Sequence, residues 1–251
     1  MSKRLRTGLR QALGLAGLVA LWQWAAQAGH LNPLYMPAPS AVAATLVQLF
    51  VSGTIWPHLY ATFSAALGGL VIGLGLGAVL GAAAALTPFI GDLLEPVMIG
   101  LNAVPRVVLA PLFVIWFGIG LGSKVALAVM LVAVLIFFTV FTGIREVDRK
   151  LVERVTTLGG GWRDLLREVY VPSVVAWVLG NLKVAVGFAF TGAVVGEFVA
   201  STRGLGYLLS FAQSNYNSAL MIALIALIMG FVLLIFGVTG WLERRLLRWR
   251  G

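Results

Sequence analysis

Four groups of residues in this sequence have types and spacing that invite a chemical reading, and two of them fail it at once. Gly73-Leu74-Gly75-Leu76-Gly77-Ala78 fits part of a dinucleotide fingerprint. It lies inside a long apolar run, follows no strand and has no acidic residue about 20 positions on. Gly118–Lys124 is glycine-rich and ends in lysine, but Ser123 stands before that lysine, where a phosphate-binding loop needs its hydroxyl after it. His30 and His58 are isolated, no paired carboxylates or His/Glu clusters occur, and there is no cysteine. Disulfides, thiolate metal sites and cysteine nucleophiles are thereby excluded. No catalytic residue, no metal and no cofactor bound by this chain are expected.

The third group consists of ionisable residues inside apolar runs. A charge at mid-bilayer costs at least about 2.5–3.5 kcal/mol, so such residues face protein, water or a pathway. Arg106 directly follows Pro105, with Pro96 and Pro111 nearby, in a run that should be kinked or broken. It is a candidate for a transport pathway. Lys183, beside Asn181, either joins that pathway or snorkels to the nearer surface. Glu197 closes the same run at its other end. The fourth group is the charged stretch Ile144–Pro172, taken up below.

Composition says what positions these residues. Of the 251 residues 60% are hydrophobic and 11% charged, against about 45–50% and about 25% in an ordinary soluble domain. A soluble chain of this size could not hide so much apolar surface, so most of this one is expected to lie in lipid. Six runs meet the roughly 20 apolar residues that cross a bilayer as a helix: about 9–28, 61–86, 93–118, 123–142, 174–199 and 219–241. They are continuous rather than alternating, which predicts helices and not a barrel. The expected fold is therefore all-α and polytopic, one transmembrane domain over 1–251.

The net charge of +9 imitates a nucleic-acid signal. Its distribution does not: fourteen of the eighteen Lys and Arg fall before or at the very start of the first run, between the fourth and fifth, or after the sixth. With six alternating helices these segments share one side, which predicts both termini in the cytoplasm. Lys3–Arg10, an apolar run and Ala26-Gln27-Ala28 also imitate a secretory signal. The length of the run and its Trp22 and Trp24 favour a retained first helix. Pro37, Pro39 and Ser40 suggest a stop and a helix N-cap, with Ala41–Val51 either a short interfacial helix or a connecting loop.

In the second run Ala61, Ala65, Gly69, Gly73, Gly77, Gly81 and Ala85 recur at every fourth position. On a helix they form one stripe of small side chains that lets another backbone approach closely, either within one bundle or between subunits.

The stretch Ile144–Pro172 carries six basic residues nearly balanced by Glu146, Asp148, Glu153, Asp164 and Glu168. A segment that only fixed topology would need no acids. It reads as Glu153–Leu158 helical, a pivot at Gly159-Gly160-Gly161, and a helix over Trp162–Tyr170 stopped by Pro172. Such an exposed unit suits docking onto another protein.

This stretch resembles the cytoplasmic motif of ATP-binding-cassette importer permeases: Glu-Ala-Ala, three residues, Gly, nine residues, Ile-x-Leu-Pro. Glu153, Gly159, Val169, Val171 and Pro172 stand at its fixed positions, and Arg154 and Val155 replace the two alanines. Pro37-Ala38-Pro39-Ser40, Trp56-Pro57-His58-Leu59, Ala110-Pro111-Leu112-Phe113, Trp116-Phe117-Gly118-Ile119-Gly120, Ser123-Lys124 and Gly204-Leu205-Gly206 resemble the nitrate/sulfonate/taurine branch (SsuC/TauC-like). Thr87–Asp92, often basic in relatives, lacks Lys and Arg here.

The resemblance implies a type I (MetI-like) permease architecture with a cytoplasmic coupling helix. Glu153, Leu158, Gly159, Gly160, Val169, Val171 and Pro172 would couple it to an ATPase. It further implies a second permease subunit, two ATPase subunits carrying ATP and Mg, a periplasmic or lipid-anchored solute-binding protein, and a bacterial inner-membrane location. The expected cargo is a small anion such as a sulfonate, taurine or nitrate, with pyrimidine precursors, riboflavin and aromatic acids served by similar permeases. A secondary transporter or channel is the alternative reading. It would leave the charged stretch without a purpose, and it predicts an inverted repeat that is not apparent.

Overall fold

The computed structural model describes the backbone of residues 3–246 and the side chains of residues 10–240 apart from Arg106. Helices account for nearly all of it, as they must where no water can satisfy a backbone N–H or C=O. In chain order they are α1 (Lys3–Gln27), α2 (Pro39–Val51), α3 (Trp56–Leu86), α4 (Pro88–Ala103), α5 (Arg106–Phe117), α6 (Leu121–Arg145), α7 (Arg149–Thr157), α8 (Trp162–Leu165), α9 (Val171–Val199), α10 (Leu205–Ser214) and α11 (Ser218–Leu246). Among the described residues four helical stretches are long and apolar enough to cross a membrane: Trp56–Leu86, Leu121–Arg145, Trp162–Val199 and Ser218–Gly240. The α4–α5 pair makes a fifth if counted as one broken span. Together these make a multi-pass membrane protein.

The core lies where α6 is held between α3 and α9. The alanine–glycine stripe of α3 turns toward α6: Gly69 abuts Ala128, and a Cβ at Gly73 would fall 2.6 Å from Val132 Cβ. At Gly77 a Cβ would stand 2.6 Å from the Ala133 carbonyl oxygen, and at Gly81 2.6 Å from that of Phe137. The backbones are thus as close as they can come, and dispersion contacts replace the hydrophobic drive that lipid does not supply. A second small-residue stripe on α9 does the same from the other side. Ala185, Ala189 and Ala193 are buried, and a Cβ at Gly192 would come within 2.6 Å of Ala128 Cα. Ala65, Val132, Ile136, Val140, Val186 and Phe190 fill the space between the three helices. Ile55, Leu59, Leu205, Leu209 and Leu224 form a second cluster at the end where α3, α10 and α11 meet.

Two expectations, at Ser40 and Pro172, are corrected in detail, while the break expected in the run 93–118 is present: α4 ends at Ala103, α5 begins at Arg106, and their axes differ by 110°. Val104 takes an extended conformation before Pro105, as the residue before a proline must. Ser40 is not an N-cap. Pro39 opens α2 behind Ala38, a position where its missing N–H costs nothing. Ser40 instead ties α2 to α1, its N–H donating to Gln23 Oε1 at 3.0 Å while Gln23 Nε2 donates to its hydroxyl at 3.1 Å.

Pro172 does not stop a helix either. Leu166–Tyr170 widens into a π turn in which the Val171 N–H donates to the Leu166 carbonyl, five residues back. Pro172 then falls in the first turn of α9, where a proline is tolerated. The consequence is mechanical. Helix runs without interruption from Trp162 to Val199, 38 residues.

Candidate functional site: an exposed elbow and a buried polar knot

The long helix from Trp162 to Val199 has a structured feature at each end. At its start, α7 and α8 meet at an elbow. Asp148 caps α7 by accepting the Lys150 N–H at 2.9 Å, and the Thr157 hydroxyl donates to the Glu153 carbonyl at 2.7 Å. Gly159 turns the chain at φ +81° with nothing within 4 Å of where its Cβ would be, a conformation that L side chains resist. The Gly160 N–H closes the turn on the Val155 carbonyl at 2.9 Å. Asp164 Oδ2 then accepts the Gly161 N–H at 2.8 Å and starts α8.

The elbow's surface is apolar at its tip. Leu158 is 81% exposed and Trp162 54%, large apolar side chains that point away from their own fold. Of the motif positions, Glu153 is exposed and lines a cleft of about 350 Å³ with Arg145, Arg149 and Tyr170. Val169 is buried, and Val171 is exposed at the start of α9. The motif thus divides into an exposed tip and a rooted base.

At the other end of α9 a set of polar groups is sealed inside protein. Glu197 is 1% exposed. Its Oε2 accepts the Thr62 hydroxyl at 2.8 Å and the Gly206 N–H at 2.9 Å. Thr62 in turn accepts the Leu205 N–H at 2.9 Å, and the Gly204 N–H donates to His58 Nδ1 at 3.1 Å. The His58 ring lies parallel to Tyr207, centroids 5.8 Å apart. The carboxylate therefore caps the N-terminus of α10, where negative charge is favoured.

Opposite it, Lys124 is 5% exposed and packs against Gly196, the residue before Glu197. Its ammonium donates to the carbonyls of Ile119 and, at 2.8 Å, Gly120, in the turn that follows α5. Glycines 196, 204 and 206 leave room for this. A Cβ at Gly196 would lie 3.2 Å from Lys124 Cγ, one at Gly204 would overlap the Glu197 carboxylate, and one at Gly206 would overlap the Val194 carbonyl.

The remaining residues singled out by sequence lie apart from the knot. Asn181 donates to the Trp177 carbonyl one turn back at 3.1 Å. Lys183 faces α11, where a Cβ at Gly240 would come 3.2 Å from its Nζ. Arg106 begins α5 immediately after the break, and its side chain lies outside the described residues, as do those of Lys3, Arg4, Arg6, Arg244 and Arg245, with Arg248 and Arg250 wholly outside. Sequence reading missed Thr62, His58 and Lys124 as members of one site. The available signals are Trp56-Pro57-His58-Leu59, Ser123-Lys124 and Gly204-Leu205-Gly206, which the sequence offers as points of resemblance.

The Thr62 hydroxyl both donates and accepts, so Thr62→Val should cost about 1–3 kcal/mol by stranding the Leu205 N–H and removing a donor from Glu197. Thr62→Ser should cost far less. Thermal unfolding of the two purified variants in one detergent checks this; equal melting temperatures would remove the hydrogen bonds from the account.

Residues 69–248, which hold both the elbow and Glu197, match the family described as binding-protein-dependent transport system inner membrane component. The chain belongs to this family. Over 92% of its length it is 35% identical to the riboflavin transport system permease protein RibX of Chloroflexus aurantiacus, covering 87% of that protein. It is 28% identical, over 94% of its length and 88% of the relative, to the taurine transport system permease protein TauC of Escherichia coli K12. Among solved structures, a permease fold in an inward-facing form of the MetNI methionine ABC transporter superposes with a TM-score of 0.60 at 22% identity, covering 76% of this chain and 93% of that one. The fold is that of ABC importer permeases, and the sulfonate/taurine branch is among the relatives. Such permeases are membrane subunits that leave ATP hydrolysis to separate ATPases.

Proposed function

We propose that this permease pairs with a second copy of itself, rests on two ATPase subunits through the elbow, and receives a small organic or inorganic anion from a solute-binding protein. The observation that carries the reading is the elbow itself: an apolar tip, Leu158 and Trp162, on a turn held by Gly159 and Gly160 and continuous with a span. Glu153, Leu158, Gly159 and Gly160 form the contact surface. Val169, Val171 and Pro172 root it in α9. Closure of the ATPases on ATP pushes the elbow, and α9 carries the displacement into the bilayer as the bundle alternates between inward- and outward-open states. Both termini and the elbow lie on the cytoplasmic side, in keeping with the grouping of basic residues.

Arg106, at the break between α4 and α5, and Lys183 with Asn181 supply positive and polar groups to the pathway. Cationic groups there suit a sulfonate, taurine or nitrate. The higher identity to a riboflavin permease favours a second reading, an aromatic heterocycle such as riboflavin.

The test is co-purification from cells expressing this chain with the ATPase and binding protein of its own gene neighbourhood, followed by uptake into proteoliposomes. Retention of the ATPase with ATP-dependent uptake is expected; a chain that purifies alone and conducts without ATP would favour a channel or secondary transporter. In the same vesicles Arg106→Leu should lower uptake roughly tenfold while assembly persists, and unaltered uptake would leave Arg106 a structural residue.

A further inference from the structure

We infer that Glu197 is a positioning residue that locks the far end of α9 to α10 and to the α5–α6 turn, so that these segments move as one body with the elbow. The inference rests on the coupling reading above. From the elbow the helix continues to Val199, and α9 alone spans about 43 Å at 1.5 Å per residue. Glu197 sits in its last turn, where a displacement applied at the elbow must be handed on or lost.

Three observations show that it is handed on through this residue. One carboxylate oxygen holds both the α10 backbone, through Gly206, and α3, through Thr62. Gly204 and Gly206 bring α10 so close to Glu197 and Val194 that no side chain fits between, so α10 is clamped rather than loosely tethered. On the facing side Lys124 packs on Gly196, the residue before Glu197, with its Cγ 3.2 Å from where a Cβ would stand, and holds the carbonyls of Ile119 and Gly120. That turn ends α5, the segment beginning at Arg106. A buried charge contributes little net stability against an apolar alternative, but breaking its contacts is costly and its geometry is specific. Such a group suits a joint that must keep its register while the helices around it rock. Packed elements with discrete arrangements of this kind can carry coupling between distant sites.

The chain has no cysteine, which permits spin labels at Ile119→Cys and Phe211→Cys, positions that are 55% and 50% exposed. The complete transporter, with one labelled permease per assembly, is placed in lipid nanodiscs. It is measured nucleotide-free and trapped with ADP and vanadate. One narrow 119–211 distance, unchanged between the two states, is expected. Glu197→Ala should lose it, giving a broad or state-dependent distribution, and Glu197→Gln, which restores an acceptor oxygen, should recover it. If Glu197→Ala does not assemble, Thr62→Val should show the same loss. A wild-type distance that differs between states, or a narrow distance surviving in the variants, overturns the inference. ATPase retention and ATP hydrolysis, read on the same samples, report separately on the coupling reading: if wild type keeps no ATPase, that reading fails first.

Discussion

Gly159→Asp will leave the permease folded and inserted but will strip it of its ATPase. No atom lies within 4 Å of the position a Cβ would take at Gly159, so a side chain there meets no clash inside the chain. The residue does sit at φ +81°, but aspartate is one of the few residues that tolerate the left-handed region. The cost to the permease alone is therefore small. If the elbow docks as proposed, the same carboxylate has to be desolvated without a partner, beside the apolar Leu158. An unpaired charge in an interface costs about 2–5 kcal/mol, a weakening of roughly thirtyfold or more. Glu153→Lys, which reverses a charge on the same surface, should act in the same direction. Pull-down of the ATPase with each variant, at matched membrane levels, reads the effect. Normal retention together with normal ATP turnover would show that the elbow is not the coupling element. Gly160 makes a useful contrast. A Cβ there would lie 2.6 Å from Val155 Cγ1 and 2.9 Å from the Val155 carbonyl, so Gly160→Ala disturbs the turn itself and should lower protease resistance of the elbow before any partner is added.

The second large effect is expected in the membrane core. Gly77→Leu inserts a side chain where even a Cβ would stand 2.6 Å from the Ala133 carbonyl and 2.8 Å from Ile136 Cβ. Neither neighbour can retreat, since both belong to α6, which α9 supports from behind. Overpacking a tight contact costs typically about 1–3 kcal/mol and more where backbone must move, so the variant should melt at markedly lower temperature or be degraded in the membrane. Gly75→Leu, two residues away on the same helix, meets nothing within 4 Å and faces away from α6. It should be close to neutral. Similar destabilisation by both substitutions would mean that helix propensity, not the α3–α6 contact, governs this region.

Much of the elbow is legible in the sequence. Alternating acids and bases, three successive glycines and the spacing from Glu153 to Pro172 are local features, and local hydrogen bonds such as Asp148 to Lys150 and Asp164 to Gly161 realise them without help from distant residues. Pro172 reads as a stop because a proline inside an α-helix loses a hydrogen bond and clashes with the carbonyl four residues back. One π turn over Leu166–Tyr170 shifts the register and lets the helix continue. The α3 stripe was equally plain at its four-residue period, whereas its partner was not. Nothing in the spacing of the glycines selects α6 over another helix or another subunit.

The polar knot shows the same limit more sharply. His58, Thr62, Lys124, Glu197 and Gly206 are scattered over almost 150 residues, and each alone has an ordinary explanation near a helix end. Charge and apolar length, summed along the chain, determined that this protein crosses a membrane and carries an ordered charged loop, because transfer into lipid depends on composition and is nearly indifferent to which helix packs on which. Which distant groups share a proton or a carbonyl was decided only in the fold, because a buried carboxylate is stabilised by the particular donors that reach it within about 3 Å, and that proximity is a property of helix packing rather than of any segment.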